Sequence, residues 1–354
     1  MSQKIALIMA GGTGGHIFPG LAVAHALRER GWQVHWLGAP ASMEARLVPP
    51  QGFALETIDF SGVRGKGIKT LALLPWRLLK ALAQALAVVR RVQPDVVVGL
   101  GGYISFPGGI AARLAGKPLV LHEQNSVPGM ANKLLAHMAA QVFTAFPKVF
   151  AQGHWVGNPL RVAFLQQPEP AQRFAGRSGR LRLLVVGGSL GAKALNEVVP
   201  QALALLPQGQ RPIVTHQSGT AQIEALQQNY AAAGVQATLT PFIDDTAQAF
   251  ADADIIVCRA GASTVTEIAA IGAAAIFVPF PAAVDDHQTA NARFLVDAGA
   301  AWLLPQPELS AQTLAKMLQT LDRPALLQRA IQAKKMQKTE ATLMVVSACE
   351  ALLA

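Results

Sequence analysis

Two glycine-rich segments carry the clearest chemical signal in the sequence. Residues 5–16 form an apolar run that ends in four glycines, Thr13 and His16, and a helical pattern follows. Residues 181–193 repeat this plan, with Gly-Gly-Ser-Leu-Gly at the turn. A strand that turns through glycines into a helix lets a ligand approach the backbone, and the first N–H groups of the helix favour negative charge. Both segments therefore predict a site for phosphate or a polar sugar.

Apolar strands alternate with helical stretches along the whole chain, as in a parallel, doubly wound sheet. The predicted strands are at about 4–10, 33–37, 95–100, 118–122, 141–144, 182–187, 211–215, 254–258 and 274–279. The pattern breaks at 155–161, and residues 166–180 are rich in Pro, Gly and charge, which predicts a hinge. We therefore expect an α/β protein with two Rossmann-like domains, 1–161 and 162–335, and a closing helix, 336–354, that packs on the first domain.

Composition limits the class of protein and of partner. The 354 residues are 51% apolar and 14% charged, enough for two ordinary domains, and the net charge of +9 favours an acidic partner. Aromatic residues make up only 6%, and no nucleic-acid-binding motif accompanies the charge, so a phosphorylated or membrane-bound ligand fits better than nucleic acid. Cys258 and Cys349 form no CxxC pair. With no signal peptide or membrane-spanning stretch in the sequence, we expect a cytosolic protein.

Ligands of open α/β sheets bind beyond the carboxyl ends of the strands, so the residues there define the candidate site. These residues are 99–108, 122–125, 259–267 and 285–288. A dehydrogenase is disfavoured because Ile17 stands where G-x-G-x-x-G needs glycine, and because no acidic residue follows Leu37. A Walker ATPase is disfavoured because alanine follows Lys193. No cluster with metal-ligand spacing lies at the strand ends, so no metal or other cofactor is expected.

Nine motifs in register resemble the MurG family, the N-acetylglucosaminyltransferases of peptidoglycan synthesis. They lie at 9–19, 99–103, 122–125, 157–161, 185–189, 216–219, 242–245, 259–267 and 278–280. The resemblance implies a GT-B fold, with two domains facing across a cleft, and inverting transfer of GlcNAc from UDP-GlcNAc to undecaprenyl-pyrophosphoryl-MurNAc-pentapeptide. It further implies peripheral binding to the cytoplasmic face of the inner membrane and contacts with other cell-wall synthesis proteins. Leu190, Phe106 and His287 depart from common family residues.

Two residues of the first domain are candidates for the catalytic base. His16 follows the glycine loop at a helix start, where the positive end of the helix dipole favours a neutral imidazole that can accept a proton. The alternative is a histidine that only caps the helix or hydrogen-bonds the substrate. Glu123 is the second candidate because a carboxylate can also accept the proton.

By resemblance, a larger set of residues binds UDP-GlcNAc. The predicted contacts are Thr13, Gly14, Gly15, Asn125, Arg161, Ser189, Ile243, Ala262, Ser263, Thr264, Val265, Thr266, Glu267, His287 and Gln288. Glu267 would accept hydrogen bonds from the ribose hydroxyls, and the N–H groups of 262–265 would face the diphosphate. Two plainer alternatives stay open: Thr264 and Glu267 as a capping box, and Ser189 as a helix N-cap.

Basic and large apolar residues alternate in residues 64–80. After Pro75, one helical stripe carries Trp76 and Leu79, and a second stripe is available for the core. The predicted membrane patch consists of Lys66, Lys69, Trp76, Arg77, Leu79 and Lys80. Such a patch would insert Trp and Leu at the headgroup boundary while its cations attract anionic lipid. The alternative is an ordinary core helix with a solvated basic edge.

Overall fold

The computed structural model describes residues 3–62, 73–188 and 190–353, with the backbone alone at Val284. The chain divides into two compact units. The first unit comprises Met1–Arg161 and Thr339–Ala354, and the second comprises Val162–Lys338. The chain therefore crosses to the second unit at residue 162 and returns to the first at residue 339.

The first unit is built on a parallel sheet. Its strands are β1 (Ile5–Met9), β2 (Gln33–Gly38), β3 (Ala54–Thr57), β4 (Val96–Gly99), β5 (Leu119–Glu123), β6 (Gln141–Thr144) and β7 (His154–Trp155). Within the described residues these seven strands lie in the order β3-β2-β1-β4-β5-β6-β7, and each pairs in parallel with its neighbours. The order reverses beside β1, so the loops after β1 and β4 flank the point where such sheets bind ligands.

Helices cover both faces of this sheet. They are α1 (Gly14–Glu29), α2 (Met43–Leu47), α3 (Leu74–Val92), α4 (Ser105–Leu114), α5 (Met130–Ala136) and the closing helix α15 (Ala341–Ala351). One core cluster joins α1 and α15 to the sheet, and Val345 and Val346 of α15 are fully buried in it. The other cluster joins α3, α4 and α5 to the opposite face. Burial of these apolar faces is what stabilises the doubly wound arrangement.

The second unit repeats the plan. Its strands are β8 (Arg182–Val186), β9 (Ile213–Gln217), β10 (Thr238–Thr240), β11 (Ile255–Cys258), β12 (Ala275–Phe277) and β13 (Ala301–Leu303). Its helices are α6 (Val162–Leu165), α7 (Pro170–Phe174), α8 (Lys193–Ala204), α9 (Ile223–Ala233), α10 (Thr246–Asp252), α11 (Ala262–Ile271), α12 (His287–Val296), α13 (Ala311–Gln319) and α14 (Arg323–Lys335). In the part of the unit that the structure describes, the six strands are parallel in the order β10-β9-β8-β11-β12-β13. The predicted α/β class with two parallel sheets is thus confirmed.

A buried ion network holds the entry to the second unit. Asp254, which directly precedes β11, is 1% exposed and receives Arg177 at 2.7 Å and Arg323 at 3.0 Å. Its carboxylate also accepts the backbone N–H of Arg182, the first residue of β8, at 2.9 Å. This carboxylate lies at the amino end of its strand, the edge opposite the predicted ligand site, and ties the 177–182 segment to helix α14.

Candidate active site

The first glycine loop presents the start of a helix. Thr13 is the N-cap of α1 in an extended conformation, with φ −139° and ψ 156°, and Gly14, Gly15 and His16 form the first turn. Thr13 is exposed, and the three residues after it are half-buried. The first N–H groups of a helix have no partner within the helix, so this turn can bind an anion or a sugar hydroxyl. The predicted role of the loop is consistent with this geometry.

The loop after β4 brings its backbone against the first glycine loop. At Gly102, where φ is 85°, a Cβ atom would lie 2.2 Å from the carbonyl oxygen of Gly11. At Gly101, where φ is 94°, a Cβ atom would lie 2.8 Å from Nδ1 of His16. Only glycine fits both positions, and the space at Gly101 is what the imidazole ring of His16 occupies.

The side chain of His16 contacts the segment that follows β5. Its Nδ1 atom lies 3.0 Å from Oε1 of Gln124, a side chain that is 1% exposed. Gln124 belongs to a motif noted in the sequence, but the sequence assigned it no role. The structure thus places His16, one of the two predicted bases, in contact with the residue that follows Glu123, the other predicted base.

Glu123 holds its own loop together. Its side chain is 2% exposed, and its Oε1 atom accepts hydrogen bonds from the backbone N of Asn125 at 2.9 Å and from Nδ2 of Asn125 at 3.3 Å. Its Oε2 atom accepts from Nδ2 of Asn132 at 2.8 Å and from the backbone N of Gly129 at 3.3 Å. With both oxygens engaged, Glu123 fits a loop-organising role better than the predicted role of base, and it also fixes the orientation of Asn125.

Glu44 is a buried carboxylate that the sequence did not indicate. It is fully buried and accepts the backbone N–H of Gly12 at 3.1 Å and that of Ala39 at 3.1 Å. Burial raises the pKa of Tyr103, and the charge of Glu44 and a hydrogen bond to it raise this pKa further. The carboxylate therefore joins the first glycine loop, the end of β2 and the loop after β4.

The corresponding helix start in the second unit belongs to α11. Gly261 is its N-cap, and Ala262, Ser263 and Thr264 form the first turn after β11. The backbone N–H of Val265 donates to the carbonyl of Gly261 at 3.0 Å, inside the helix. The predicted set of N–H groups for the diphosphate therefore shrinks from 262–265 to 262–264, because the N–H of residue 265 is already used.

Two predicted contact residues of α11, Val265 and Thr266, have buried side chains. Val265 is fully buried in the core. Thr266 is 7% exposed, and its hydroxyl donates back to the carbonyls of Ala262 and Ser263, each at 3.0 Å. A side chain that is buried and bonded to its own helix is poorly placed for a ligand.

The capping-box interpretation of Glu267 does not hold. A capping box would require Thr264 as the N-cap of the helix, but the N-cap is Gly261 and has no side-chain hydrogen bond. Thr264 is instead the third helical residue, and Glu267 lies half-buried on the second turn. Burial raises the pKa of Cys258, and the charge of Glu267 raises it further, so the carboxylate lies near the end of β11. This placement keeps Glu267 beside the helix start, as a ribose contact requires.

Gln288 links the ends of two strands. Its Oε1 atom accepts the backbone N–H of Phe280 at 2.9 Å and that of Ala260 at 3.3 Å, which fixes the orientation of the carboxamide. With the oxygen engaged, the Nε2 amide is the group of Gln288 that remains for a ligand.

His287, half-buried, is the first residue of α12. Two consecutive left-handed residues, Asp285 and Asp286, with φ of 51° and 49°, lead into this helix.

The remaining predicted contacts have varied positions. Ile243 lies between β10 and α10, and its carbonyl accepts the hydroxyl of Thr246 at 3.3 Å. Arg161 is the last residue of the first unit before the chain enters the second, and its guanidinium lies 5.2 Å from the ring centroid of Phe18 on α1. Ser189 lies outside the described residues, and the next helix, α8, has Ala192 as its N-cap.

Part of the predicted membrane patch can be located. Lys66 and Lys69 lie outside the described residues. On α3, Trp76 is 71% exposed and Leu79 is 61% exposed, whereas the core stripe includes Ala81, Ala85 and Val88. Arg77 is exposed, and Lys80 pairs with Asp59 at 2.6 Å. Trp76 and Leu79 are thus exposed, as the predicted patch requires, and membrane binding itself stays a prediction.

The residues that the structure describes include neither a candidate metal site nor a membrane-spanning helix. Over 3–62, 73–188 and 190–353, His, Cys, Asp and Glu side chains form no group of three that could hold a metal ion. Within the same ranges, no helix is both long and apolar enough to cross a membrane.

Known proteins are similar to this chain in sequence and in fold. Residues 6–144 match the N-terminal domain of glycosyltransferase family 28, and residues 182–345 match its C-terminal domain. A protein of Paracidovorax citrulli, named UDP-N-acetylglucosamine–N-acetylmuramyl-(pentapeptide) pyrophosphoryl-undecaprenol N-acetylglucosamine transferase, is 74% identical over 351 residues, 99% of each chain. The chain belongs to glycosyltransferase family 28.

Two further relatives agree with this assignment. A Polaromonas protein of the same name is 72% identical over 357 residues, which cover 99% of this chain and 92% of the relative. The crystal structure of Acinetobacter baumannii MurG matches with a TM-score of 0.85 and 43% identity over 98% of this chain and 99% of that one. The resemblance expected from the nine motifs is thus confirmed, and membership of family 28 identifies the chain as a glycosyltransferase.

Proposed function

We propose that this chain moves GlcNAc from UDP-GlcNAc to undecaprenyl-pyrophosphoryl-MurNAc-pentapeptide, converting lipid I to lipid II with inversion at the sugar carbon. The observation that carries the proposal is the similarity to the Paracidovorax citrulli transferase, whose name states this donor and acceptor, at 74% identity over 99% of both chains. The local geometry of each unit supports a part of this reaction.

The second unit binds the donor. The N–H groups of Ala262, Ser263 and Thr264 at the start of α11 hold the diphosphate, where the helix dipole favours negative charge. The carboxylate of Glu267 accepts hydrogen bonds from the two ribose hydroxyls. Backbone groups of Ile243 bind the uracil base.

The donor sugar and the diphosphate are held by further polar groups. The Nε2 amide of Gln288 donates to a sugar hydroxyl, since its Oε1 atom is held by two backbone N–H groups. His287 and Asn125 contribute further sugar contacts, and Arg161 and Ser189 bind in the diphosphate region. Thr13, Gly14 and Gly15 present the start of α1 to the substrates.

His16 is the general base. It takes the proton of the acceptor hydroxyl while the hydroxyl oxygen attacks the anomeric carbon of GlcNAc. The bond from that carbon to the diphosphate breaks, and UDP leaves with the bonding electrons. Fixed N–H dipoles at the start of α11 stabilise the charge that develops on the leaving group. In this scheme no metal or cofactor takes part, and a chelator should leave turnover largely intact.

The enzyme meets its lipid-anchored acceptor as a peripheral protein on the cytoplasmic face of the inner membrane. Leu73, Trp76 and Leu79 are 55%, 71% and 61% exposed near the start of α3, beside Arg77 and Lys80. Helices α4 and α5, on the same face of the sheet, expose Leu114 and Met130 by 64% and 80%. Apolar side chains at the headgroup boundary and cations near anionic lipid would act together.

The proposal is tested by incubating the purified protein with labelled UDP-GlcNAc and lipid I. Transfer of label to a product that comigrates with lipid II is the expected result. If lipid I stays unlabelled while the protein binds NADH as tightly as UDP, the transferase assignment is wrong.

A further inference from the structure

Two buried side chains connect His16 to a backbone carbonyl inside the first unit. Nε2 of His122 lies 2.8 Å from the carbonyl oxygen of Gly157. Nδ1 of His122 lies 3.3 Å from Nε2 of Gln124, and Oε1 of Gln124 lies 3.0 Å from Nδ1 of His16. His122 is 0% exposed and Gln124 is 1% exposed, whereas His16 is half-buried. The chain of hydrogen bonds thus runs from the interior to the candidate base.

The carbonyl of Gly157 fixes the direction of the first hydrogen bond. A carbonyl oxygen only accepts, so Nε2 of His122 must carry a hydrogen and donate it. Burial lowers the pKa of His122 to about 4, against a smaller opposite effect of the hydrogen bond to Gly157, so the ring is neutral near pH 7. A neutral imidazole has one N–H, and Nδ1 of His122 is therefore an acceptor.

The direction then passes through Gln124 to His16. Because Nδ1 of His122 accepts, the group of Gln124 that faces it must be the amide nitrogen. The oxygen of the same carboxamide faces His16 and can only accept, so Nδ1 of His16 carries a hydrogen. Exchanging the nitrogen and oxygen of Gln124 would put two acceptors face to face, the carboxamide oxygen and Nδ1 of His122.

We propose that His122 and Gln124 are positioning residues that hold neutral His16 in its Nδ1–H tautomer, so that Nε2 keeps the lone pair that takes the proton of the acceptor hydroxyl. This inference rests on the proposed function, in which His16 is the general base. The hydrogen bond at one ring nitrogen of a histidine decides which nitrogen can act as a base. In the other tautomer, Nε2 of His16 would carry a hydrogen and could not accept a proton.

A buried histidine of the second unit, His216, also takes part in a network of hydrogen bonds. His216, which burial also keeps neutral, receives the hydroxyl of Tyr230 at 3.0 Å on Nδ1 and donates from Nε2 to Oδ1 of Asn196 at 3.0 Å. Asn196 in turn donates to the carbonyl of Ser218 at 3.1 Å. These four residues are all buried, but Asn196 also donates to Oε1 of half-buried Gln222 at 3.0 Å. The network of the second unit therefore ends on a carboxamide, whereas that of the first unit ends on the half-buried imidazole of His16.

The tautomer of His16 can be read directly by NMR of the full-length protein labelled with ¹⁵N-histidine, at a pH where His16 is neutral. The wild type should show His16 with protonated Nδ1 and unprotonated Nε2, assigned by loss of the signals in His16→Ala. Gln124→Leu should lose this preference. Gln124→Glu should keep it, because a carboxyl oxygen, ionised or protonated, still accepts from Nδ1 of His16. Gln51→Leu is the matched control, since it removes a glutamine–histidine hydrogen bond to His25 on the same helix.

Steady-state transfer supplies the second readout. Gln124→Leu should lower kcat by ~10-fold or more with little change in the KM for UDP-GlcNAc, Gln124→Glu should recover part of the loss, and Gln51→Leu should match the wild type. A wild-type His16 with protonated Nε2 would overturn the inference even if transfer is observed. A tautomer change in Gln124→Leu with unchanged kcat would overturn the link to catalysis. The NMR result does not require transfer, so failure of the proposed function would be recognised separately.

Discussion

The buried carboxylate of Glu44 accepts the backbone N–H of Gly12 at 3.1 Å, across 32 positions of sequence. Its other oxygen accepts the N–H of Ala39 at 3.1 Å, so one side chain fixes the first glycine loop against the end of β2. The side chain also fills the space beside Gly11, where a Cβ atom would lie 2.8 Å from Oε1 of Glu44. The conformation of the loop that precedes His16 thus depends on Glu44, a residue that is not itself a predicted ligand contact.

Replacing Glu44 should therefore destabilise the first unit. Glu44→Ala leaves the buried N–H of Ala39 and the half-buried N–H of Gly12 without an acceptor, at about 1–3 kcal/mol for a fully buried group, and opens a cavity. We expect a loss of several kcal/mol in the free energy of unfolding, measured by urea titration. Glu29→Ala, an exposed residue near the end of α1, is the control and should stay close to the wild type. Equal stability of the two variants would mean that the Glu44 hydrogen bonds contribute little.

Glu267 should be needed for binding UDP. Glu267→Ala removes a charged acceptor from the ribose hydroxyls, which is worth about 1.5–3 kcal/mol, so calorimetry should show UDP affinity lowered by ~10-fold or more with the fold intact. Glu224→Ala, an exposed glutamate on α9, is the matched control and should bind UDP normally. Unchanged affinity in Glu267→Ala would remove Glu267 from the donor site.

His16 should affect turnover more than donor binding. His16→Ala should lower kcat by ~10² or more, because a general base contributes that much, while the Kd for UDP-GlcNAc changes little. His25→Ala, on the same helix, should retain the wild-type kcat. A loss of only a few-fold in His16→Ala would assign His16 to positioning the substrate rather than to proton transfer.

The exposed apolar pair of α3 should control binding to membranes. Trp76→Ser combined with Leu79→Ser should abolish flotation with anionic vesicles, whereas the wild type should float and be released by salt, because screening weakens the cationic contribution. Transfer to a short-chain soluble acceptor should persist in the variant. Leu205→Ser combined with Ile213→Ser replaces side chains that are 51% and 52% exposed in the second unit and should float normally. If both double variants float like the wild type, the membrane surface lies elsewhere.

Stability should fall as the pH drops below neutral. Burial lowers the pKa of His122 to about 4 and that of His216 to about 3, against about 6.5 in an unfolded chain. Between these values the unfolded state binds more protons, so stability present above pH 6.5 is lost progressively down to pH 4, by roughly 3 kcal/mol for His122 alone. Urea unfolding at pH 7, 6 and 5 should show this loss, and His122→Asn should reduce it while His25→Asn should not. A pH-independent midpoint in the wild type would contradict the assignment of both histidines as buried and neutral.

The sequence predicted the central strands of both sheets and missed the edges. Every strand between two neighbours was found, because strands buried on both faces are continuous apolar runs, as in Val96–Gly99 and Ile255–Cys258. The four missed strands, β3, β7, β10 and β13, are the outermost strands of their sheets. They are two to four residues long and mostly half-buried or exposed, so they lack the apolar run that marks a strand.

The candidate site was predictable where glycines mark it and not where a distant residue supports it. The helix starts at Gly14 and Ala262 follow from strand, glycine and helix in succession. Glu44 sits on a helix of five residues between two strands, with no local pattern that ties it to Gly12. Gln124 gains its role only from contacts with His16 on α1 and His122 on β5, which depend on how the start of α1 lies against the end of β5. Contacts of this kind depend on the fold and are not visible as sequence spacing.

The anomeric configuration of the product is the sharpest test of the proposed inverting transfer. Purified protein, UDP-GlcNAc and lipid I should yield one disaccharide product, and the proton coupling at the new linkage, measured by NMR, should be that of a β-glycoside, because the donor sugar is α-linked and a single displacement inverts it. The same reaction with His16→Ala should form this product far more slowly. An α-linked product, or no disaccharide at all from protein that binds UDP, would contradict the assignment of this chain as an inverting transferase.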